Sequence, residues 1–215
     1  MLTDNQLAFL KKIGESDFAA RQFYLTGGTA LSAFYLHHRY SEDLDFFSES
    51  EFDISEINVF LQTVKKGLGI QKIDFQQSYN RNLFFLRQKG KTLKTEFTFF
   101  PFSRLEKGTR EYGIVIDSLE DIAVNKLFTI YQRIKARDYI DLYCICRKKS
   151  FSIEELMRKA KIKFDWHIDP LQLGTQFLKA KEAEDYPRMI DKVAKKDWQG
   201  FFETEAKKLK NDVVR

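Results

Sequence analysis

Residues 23–47 read FYLTGGTALSAFYLHHRYSEDLDFF, and the way this stretch divides decides the fold. FYLT is β-branched and aromatic enough to predict a short buried strand, ended by Gly27 and Gly28. Residues 29–38 predict a helix, with Ala30, Leu31, Ala33, Phe34 and Leu36 as its apolar side chains. After Arg39, Tyr40 and Ser41, the run EDLDFF at residues 42–47 predicts a second strand. Side chains alternate along a strand, so Asp43 and Asp45 emerge on one face about 6–7 Å apart. Leu44 and Phe46 then face a core. Two carboxylates held side by side repel unless a cation lies between them. A hard divalent ion, Mg2+ or Mn2+, takes oxygen ligands and leaves room for phosphate oxygens, so it suits the pair.

The glycines supply the other half. They let the backbone approach a ligand closely, and the first amides of the following helix carry partial positive charge. A triphosphate resting on the turn would place its metals on Asp43 and Asp45. A tight turn alone explains the glycines, and a capped strand end alone explains the acids. The combination of strand, Gly-Gly, helix and Asp-x-Asp strand within 25 residues points to an NTP site.

GGTALS followed by RYSEDLDF resembles the nucleotidyltransferase-fold AbiEii/AbiGii toxin family, whose members resemble DNA polymerase β-type nucleotidyltransferases. SLEDIAVNKL at residues 118–127 and RDYIDLY at residues 137–143 extend the resemblance, which covers residues 23–147. It implies transfer of a nucleotide from an NTP to an acceptor, suggested to be RNA such as a tRNA 3′ end. The agent would be the toxin half of a toxin–antitoxin or abortive-infection system, with a cognate antitoxin as a further partner. The resemblance gathers Gly27, Gly28, Thr29, Ser32, Arg39, Ser41 and Lys126 around the nucleotide, and Asp43, Asp45 and Glu96 around the metal. It adds Lys126 and Asp141 to the three acids as catalytic residues.

Glu96 lies in TLKTEFTFFPF, and if its strand runs beside the Asp-x-Asp strand it faces the same site. Polymerase β-like enzymes usually place an aspartate there, and glutamate reaches one methylene further. Its alternative is an edge-strand residue paired with Lys94. Lys126 lies within the apolar stripe Ile122, Leu127, Ile130 of a helix starting at Ser118, where Asp121 would complete a capping box. A lysine in such a stripe must reach a partner, because burying an unpaired ammonium is costly. The triphosphate and Asp141 are the two candidates. Arg133, Lys135 and Arg137 crowd the turn before the next helix and could hold an RNA backbone or simply be solvated.

The rest of the chain reads as scaffold. A first helix is expected to run to about Lys12 and to be interrupted at Gly14. Another is expected over residues 54–66, then three strands at 70–78, 83–88 and 92–100, and a short one at 112–116. Helices are expected near 152–160, 170–183, 187–196 and 197–210, with Trp166 and Trp198 as packing anchors. Cys144 and Cys146 read as reduced core thiols, and His37, His38 and His167 have no metal-binding spacing.

The 215 residues carry a net charge of +5, unevenly spread. Residues 1–60 have four basic side chains against ten acidic, and residues 126–163 have eleven against four. An acidic front and a basic rear suit an enzyme whose acceptor is a polyanion. No apolar run approaches the length of a membrane span and the N-terminus is no signal peptide, so a cytoplasmic protein without a membrane partner is expected. The fold expected is α+β: a nucleotidyltransferase mixed sheet with flanking helices at 1–116 and a helical lobe at 117–215 closing over the nucleotide. The rival functions are transfer to a small molecule or protein, and a catalytically silent NTP-binding module.

Overall fold

The computed structural model describes residues 2–213, with side chains through residue 210. The chain divides into two compact units. The first takes the chain up to Tyr35, Ser41–Ser103 and Lys107–Ser118; the second takes Leu36–Tyr40, Arg104–Glu106 and the chain from Leu119 onward.

The first unit is built on a sheet that shows seven strands among the described residues. Their order is β3 (Lys72–Ser78), β4 (Arg81–Gln88), β5 (Lys91–Phe99), β2 (Leu44–Ser48), β1 (Tyr24–Thr26), β7 (Ile114–Ile116) and β6 (Thr109–Glu111). β5–β2 and β1–β7 pair in parallel and the other neighbours antiparallel, so the sheet is mixed. Leu44 and Phe46 are fully buried, as the alternation of EDLDFF requires. Phe46 stacks on Phe97 at 5.1 Å between ring centroids, and Phe9 and Phe84 close around them. Phe9 comes from α1 (Asp4–Glu15) and packs edge-on against Phe60 of α4 (Ile54–Lys65), so these two helices cover this face of the sheet.

Several boundaries differ from the pattern-based expectation, each for a local reason. α1 runs through Gly14 rather than stopping there, because the glycine lets the backbone carbonyl of Tyr112 sit where a Cβ would be. The helix after the glycines begins at Gly27 itself: α3 (Gly27–Ala30) passes into a π-helical turn, Leu31–Leu36, which ends at His37 with φ 56°. β2 begins at Leu44, so Asp43 lies one residue ahead of the strand. The β3–β4 and β4–β5 turns are two residues long, with Tyr79, Lys89 and Gly90 at positive φ, which matches the twist of a tight hairpin. The expected single strand at 112–116 is a hairpin turning at Tyr112 and Gly113. α2 (Asp17–Gln22) completes this unit's helices.

The second unit is helical: α5 (Leu119–Gln132), α6 (Ala136–Lys149), α7 (Ile153–Phe164), α8 (Pro170–Leu178) and α9 (Lys195–Val213). Trp198, Phe202, Phe177 and Tyr139 make its aromatic centre. Trp198 is a fully buried anchor as expected, whereas Trp166 is more than half exposed. The expected helix at 187–196 is absent; Arg188–Asp191 instead hydrogen-bonds His38 and Tyr40 through the backbone, with Met189 bridging Arg39. The Asp121 carboxylate accepts the amides of Leu105 and Glu106 and pairs with Lys163. Cys146 is buried and Cys144 half-buried, both free thiols, and burial pushes each up to about 12. No helix among the described residues is long and apolar enough to cross a membrane.

Candidate active site

Asp45 sits in the middle of the sheet face opposite the phenylalanine core. It lies in register with Thr26 on β1 and Glu96 on β5, so the third carboxylate is its lateral neighbour. β5 is therefore an interior strand, not an edge. Asp43 continues the same alternation one pleat earlier, and its Oδ2 receives Lys94 Nζ at 2.7 Å. Both side chains of that pair are about one-third exposed, at 31% and 32%. Glu96 is buried and tied more firmly. Arg81 Nε donates to its Oε1 and Arg81 Nη2 to its Oε2, each at 2.6 Å, and the Thr98 hydroxyl adds a third bond at 2.7 Å. Burial alone would push the Glu96 carboxyl up, but the Arg81 and Thr98 hydrogen bonds and the nearby Arg81 and Lys94 charges outweigh it and hold it below the usual range.

The glycine turn is part of the same construction. Gly27 has φ +72°, and a Cβ on it would collide with the Asp45 carboxylate. Only glycine gives that backbone shape and that space together. The Thr26 hydroxyl does not cap α3; it donates to Asp117 Oδ2 at 2.6 Å, leaving the first amides of the turn without a side-chain cap from Thr26. Thr29 and Ser32 are buried. Thr29 donates its hydroxyl proton to the Asp43 backbone carbonyl and Ser32 to the Thr29 carbonyl. Thr29 thus fixes where Asp43 enters β2. Ser41 offers its backbone carbonyl to Gln6 Nε2. Gly27→Ala is expected to lower stability by about 1–2 kcal/mol from the positive φ alone, read as a drop of about 2–8 °C in thermal midpoint. Transfer should also fall at temperatures where the variant is folded, because Asp45 must move.

The remaining charged candidates meet inside the second unit. Asp141 is fully buried; Arg39 grips it through Nε at 2.6 Å and Nη2 at 2.8 Å, and His38 Nε2 lies 2.8 Å from Oδ1. Lys126 Nζ lies 2.7 Å from both Asp141 Oδ2 and Asp138 Oδ1, and Arg133 reaches Asp138 at 3.2 Å. Burial would raise the Asp141 carboxyl, yet Lys126, Arg39 and the hydrogen bonds from Arg39 and His38 hold it well below the carboxylate range. Burial would lower the Lys126 ammonium, and Asp141 and Asp138 more than compensate, so it is raised. Lys126 is thus paired with Asp138 and Asp141, and Arg39 with Asp141, within their own unit. Arg133, Lys135 and Arg137 are exposed, the first two loosely paired with Asp138 and Asp185.

A family model described as "Nucleotidyl transferase AbiEii toxin, Type IV TA system" matches residues 9–211. The chain belongs to that family. An uncharacterized protein of Aquifex aeolicus (strain VF5) is 32% identical over 142 residues, covering 66% of each chain, just under two thirds of that relative's length. A putative nucleotidyltransferase from H. pylori superposes over 99% of this chain and 98% of its own, with a TM-score of 0.63 at 19% identity. MenT4, a nucleotidyltransferase toxin of Mycobacterium tuberculosis H37Rv, matches 97% of this chain and 84% of its own, with a TM-score of 0.56 at 16% identity. At such identities the two structures establish the nucleotidyltransferase fold.

Within this AbiEii chain, Asp43 and Asp45 suit a hard divalent ion: they are oxygen donors on one sheet face, partly exposed, and the Lys94 that meets Asp43 is itself accessible. Glu96 does not suit it as it stands, because both its oxygens already accept strong hydrogen bonds. Among the described residues no three Asp, Glu, His or Cys side chains form a metal-ready group. Two residues of the site are not visible in the sequence pattern. Arg81 reads there as a turn residue, and Lys94 as a possible partner of Glu96. The Lys94-x-Glu96-x-Thr98 spacing on one strand is the available signal, since it puts all three on one face.

Proposed function

We propose that this chain transfers a nucleotide from an NTP to an RNA acceptor, as the toxin of a type IV toxin–antitoxin pair, with Asp43 and Asp45 as the ligands of a magnesium or manganese ion. The observation that carries the reading is the approach of Asp45 to Gly27: acid and glycine turn form one site instead of two separate features. An ion on the two carboxylates would offset phosphate charge and stabilise the entering and leaving oxygens of an in-line displacement at the α-phosphate.

The chain's own residues supply the rest. Gly27 and Gly28 let the β- and γ-phosphates approach the backbone, where the turn's amides face the anion. Thr29 fixes the Asp43 backbone, and β1 and β5 fix Asp45 from either side, so both acids are held before substrate arrives. An RNA acceptor is supported by the basic stretch 126–163 and by the exposed Arg133, Lys135 and Arg137, which suit phosphate contacts.

The clamp of Arg81 on Glu96 favours one rival, a module that binds NTP without turning it over. Incubating the protein with each α-labelled NTP, the divalent ion and total bacterial RNA separates the readings, with a protein lysate and a small-molecule extract as parallel acceptors. Label on RNA with pyrophosphate release is the expected result. Label on protein or small molecules only would move the acceptor, and NTP binding without pyrophosphate release would establish the silent module.

A further inference from the structure

Sheet register places an aromatic ring beside the acids that the core does not use. Lys94 of β5 lies across from Phe85 of β4, and Glu96 across from Leu83, so Phe85 and Leu83 share the face that carries the acids. Both are half-buried, whereas Phe84 and Leu86, on the opposite face, are fully buried. Phe84 packs on Phe75 and Phe97 within the aromatic core. Among the described residues no ring pairs with Phe85. Its place is close to the candidate ion ligands. Asp43 continues the register in which Leu44 pairs with Thr95, so it lies level with Lys94 and Phe85. Neighbouring strands are about 4.8 Å apart, which puts Phe85 two strands, roughly 10 Å, to the side of Asp43.

The side matters as much as the distance. In the strand order β1, β2, β5, β4, the glycine turn that follows β1 lies on one side of Asp43 and Asp45, and Phe85 on the other. An in-line displacement at the α-phosphorus needs the attacking oxygen opposite the departing pyrophosphate. With the β- and γ-phosphates on Gly27 and Gly28, the acceptor hydroxyl comes from the β5–β4 side, where Phe85 lies. Arg87 follows Phe85 by two residues on the same face, about 7 Å along the strand, and Lys72 of β3 lies across from it. Both side chains are more than half exposed and meet at Asp74, in contacts that water already reaches. Such pairs exchange readily for another anion.

We infer that Phe85 is the platform on which the last base of the acceptor stacks, with Arg87 and Lys72 beside it for the acceptor's phosphates. The inference rests on the proposed transferase reading and deepens it by naming the acceptor subsite and the form of acceptor it takes. A base stacked on Phe85 holds its own ribose toward the acids, which aims the terminal hydroxyl along the line of attack. Stacking on a ring tolerates any base, because every base has a π-face, but it needs a base released from its neighbours. The acceptor is therefore an RNA with an unpaired 3′ end, and a blunt duplex end is excluded.

The test pairs two probes with three variants. The probe is a fluorescent RNA hairpin with a single-stranded 3′ overhang, either intact or lacking the base of its last nucleotide, and affinity is read by anisotropy. Removing that base should weaken binding to the wild type by about 5- to 150-fold, the range for one stacked base. Phe85→Leu keeps an apolar side chain and should weaken the intact probe by at least about fivefold while leaving the abasic probe unchanged. Phe85→Trp should hold or tighten the intact probe. Arg87→Gln should weaken both probes and lower the slope of log affinity against log salt by about 0.7. Affinity for a non-hydrolysable NTP analogue should be the same throughout. Equal weakening of both probes by Phe85→Leu, weakening of the NTP analogue in place of the RNA, or a wild type that does not distinguish the probes overturns the inference. None of these touches label transfer to RNA by the wild type, whose failure overturns the transferase reading instead. Should Phe85→Leu fail to fold, Phe85→Trp and the two probes on the wild type still decide.

Discussion

Asp45→Asn is expected to lower nucleotide transfer by about a thousandfold or more, since losing a metal-binding carboxylate removes several kcal/mol of transition-state stabilisation. The thermal midpoint should stay close to that of the wild type. Asparagine keeps the volume that fills the space beside Gly27, and Thr26 and Glu96 remain in register with its backbone. Asp43→Ala should behave alike in activity, because Thr29 holds the Asp43 main-chain carbonyl and not its carboxylate. The measurement is initial rate of label transfer from NTP, beside a thermal melt. Transfer by either variant at the wild-type rate would remove both acids from the mechanism.

What the one-dimensional pattern can carry is shown by these same residues. The alternation of EDLDFF puts Leu44 and Phe46 in the core and the two aspartates opposite, and their burial follows it. The glycine break tells of a tight backbone, though not that Asp45 occupies the space of the missing side chain. Local periodicity says nothing of which strands pair: Asp45 and Glu96 are 51 residues apart and meet only because β2 and β5 run parallel. For the same reason the pattern misplaces one cation and misses the other. Lys94 belongs to Asp43, and Arg81 reaches Glu96 across a register that only the formed hairpin creates.

The helical half shows a second limit. The pattern at 187–196 predicts a helix, where Arg188–Asp191 hydrogen-bonds the backbone of His38 and Tyr40 instead. Helix propensity is a weak prior that such tertiary pairing overrides. The π-helical turn Leu31–Leu36 likewise has no proline or glycine to announce it. By contrast, the demand that Lys126 find a partner is legible from its place in an apolar stripe, and Asp141 is one of the two candidates. The convergence of His38 and Arg39 on that same aspartate is not, because 102 residues separate Arg39 from it.

That convergence sets the largest stability effect expected in the molecule. Asp141→Ala would leave Arg39 and Lys126 buried with one carboxylate, Asp138, against them. Breaking a buried charge pair costs about 3–5 kcal/mol, which for a chain of this size lowers the thermal midpoint by about 6–20 °C. Lys126→Met should cost less, because Asp141 keeps Arg39 and Asp138 keeps Arg133. The comparison is made without nucleotide, and that condition decides between the two roles open to Lys126. A side chain serving only a bound triphosphate would leave the ligand-free melt unchanged on substitution, whereas one holding the carboxylates together must lower it. Acid adds a second readout. The carboxyls of Asp138 and Asp141 are held below their ordinary value in the folded chain, so their stabilisation is full above about pH 4 and fades as pH falls through the folded values. The gap in midpoint between wild type and Asp141→Ala should therefore be level at neutral pH and narrow below about pH 4. A constant gap down to the acid limit, or a Lys126→Met melt indistinguishable from wild type, would show that the cluster does not hold this unit together.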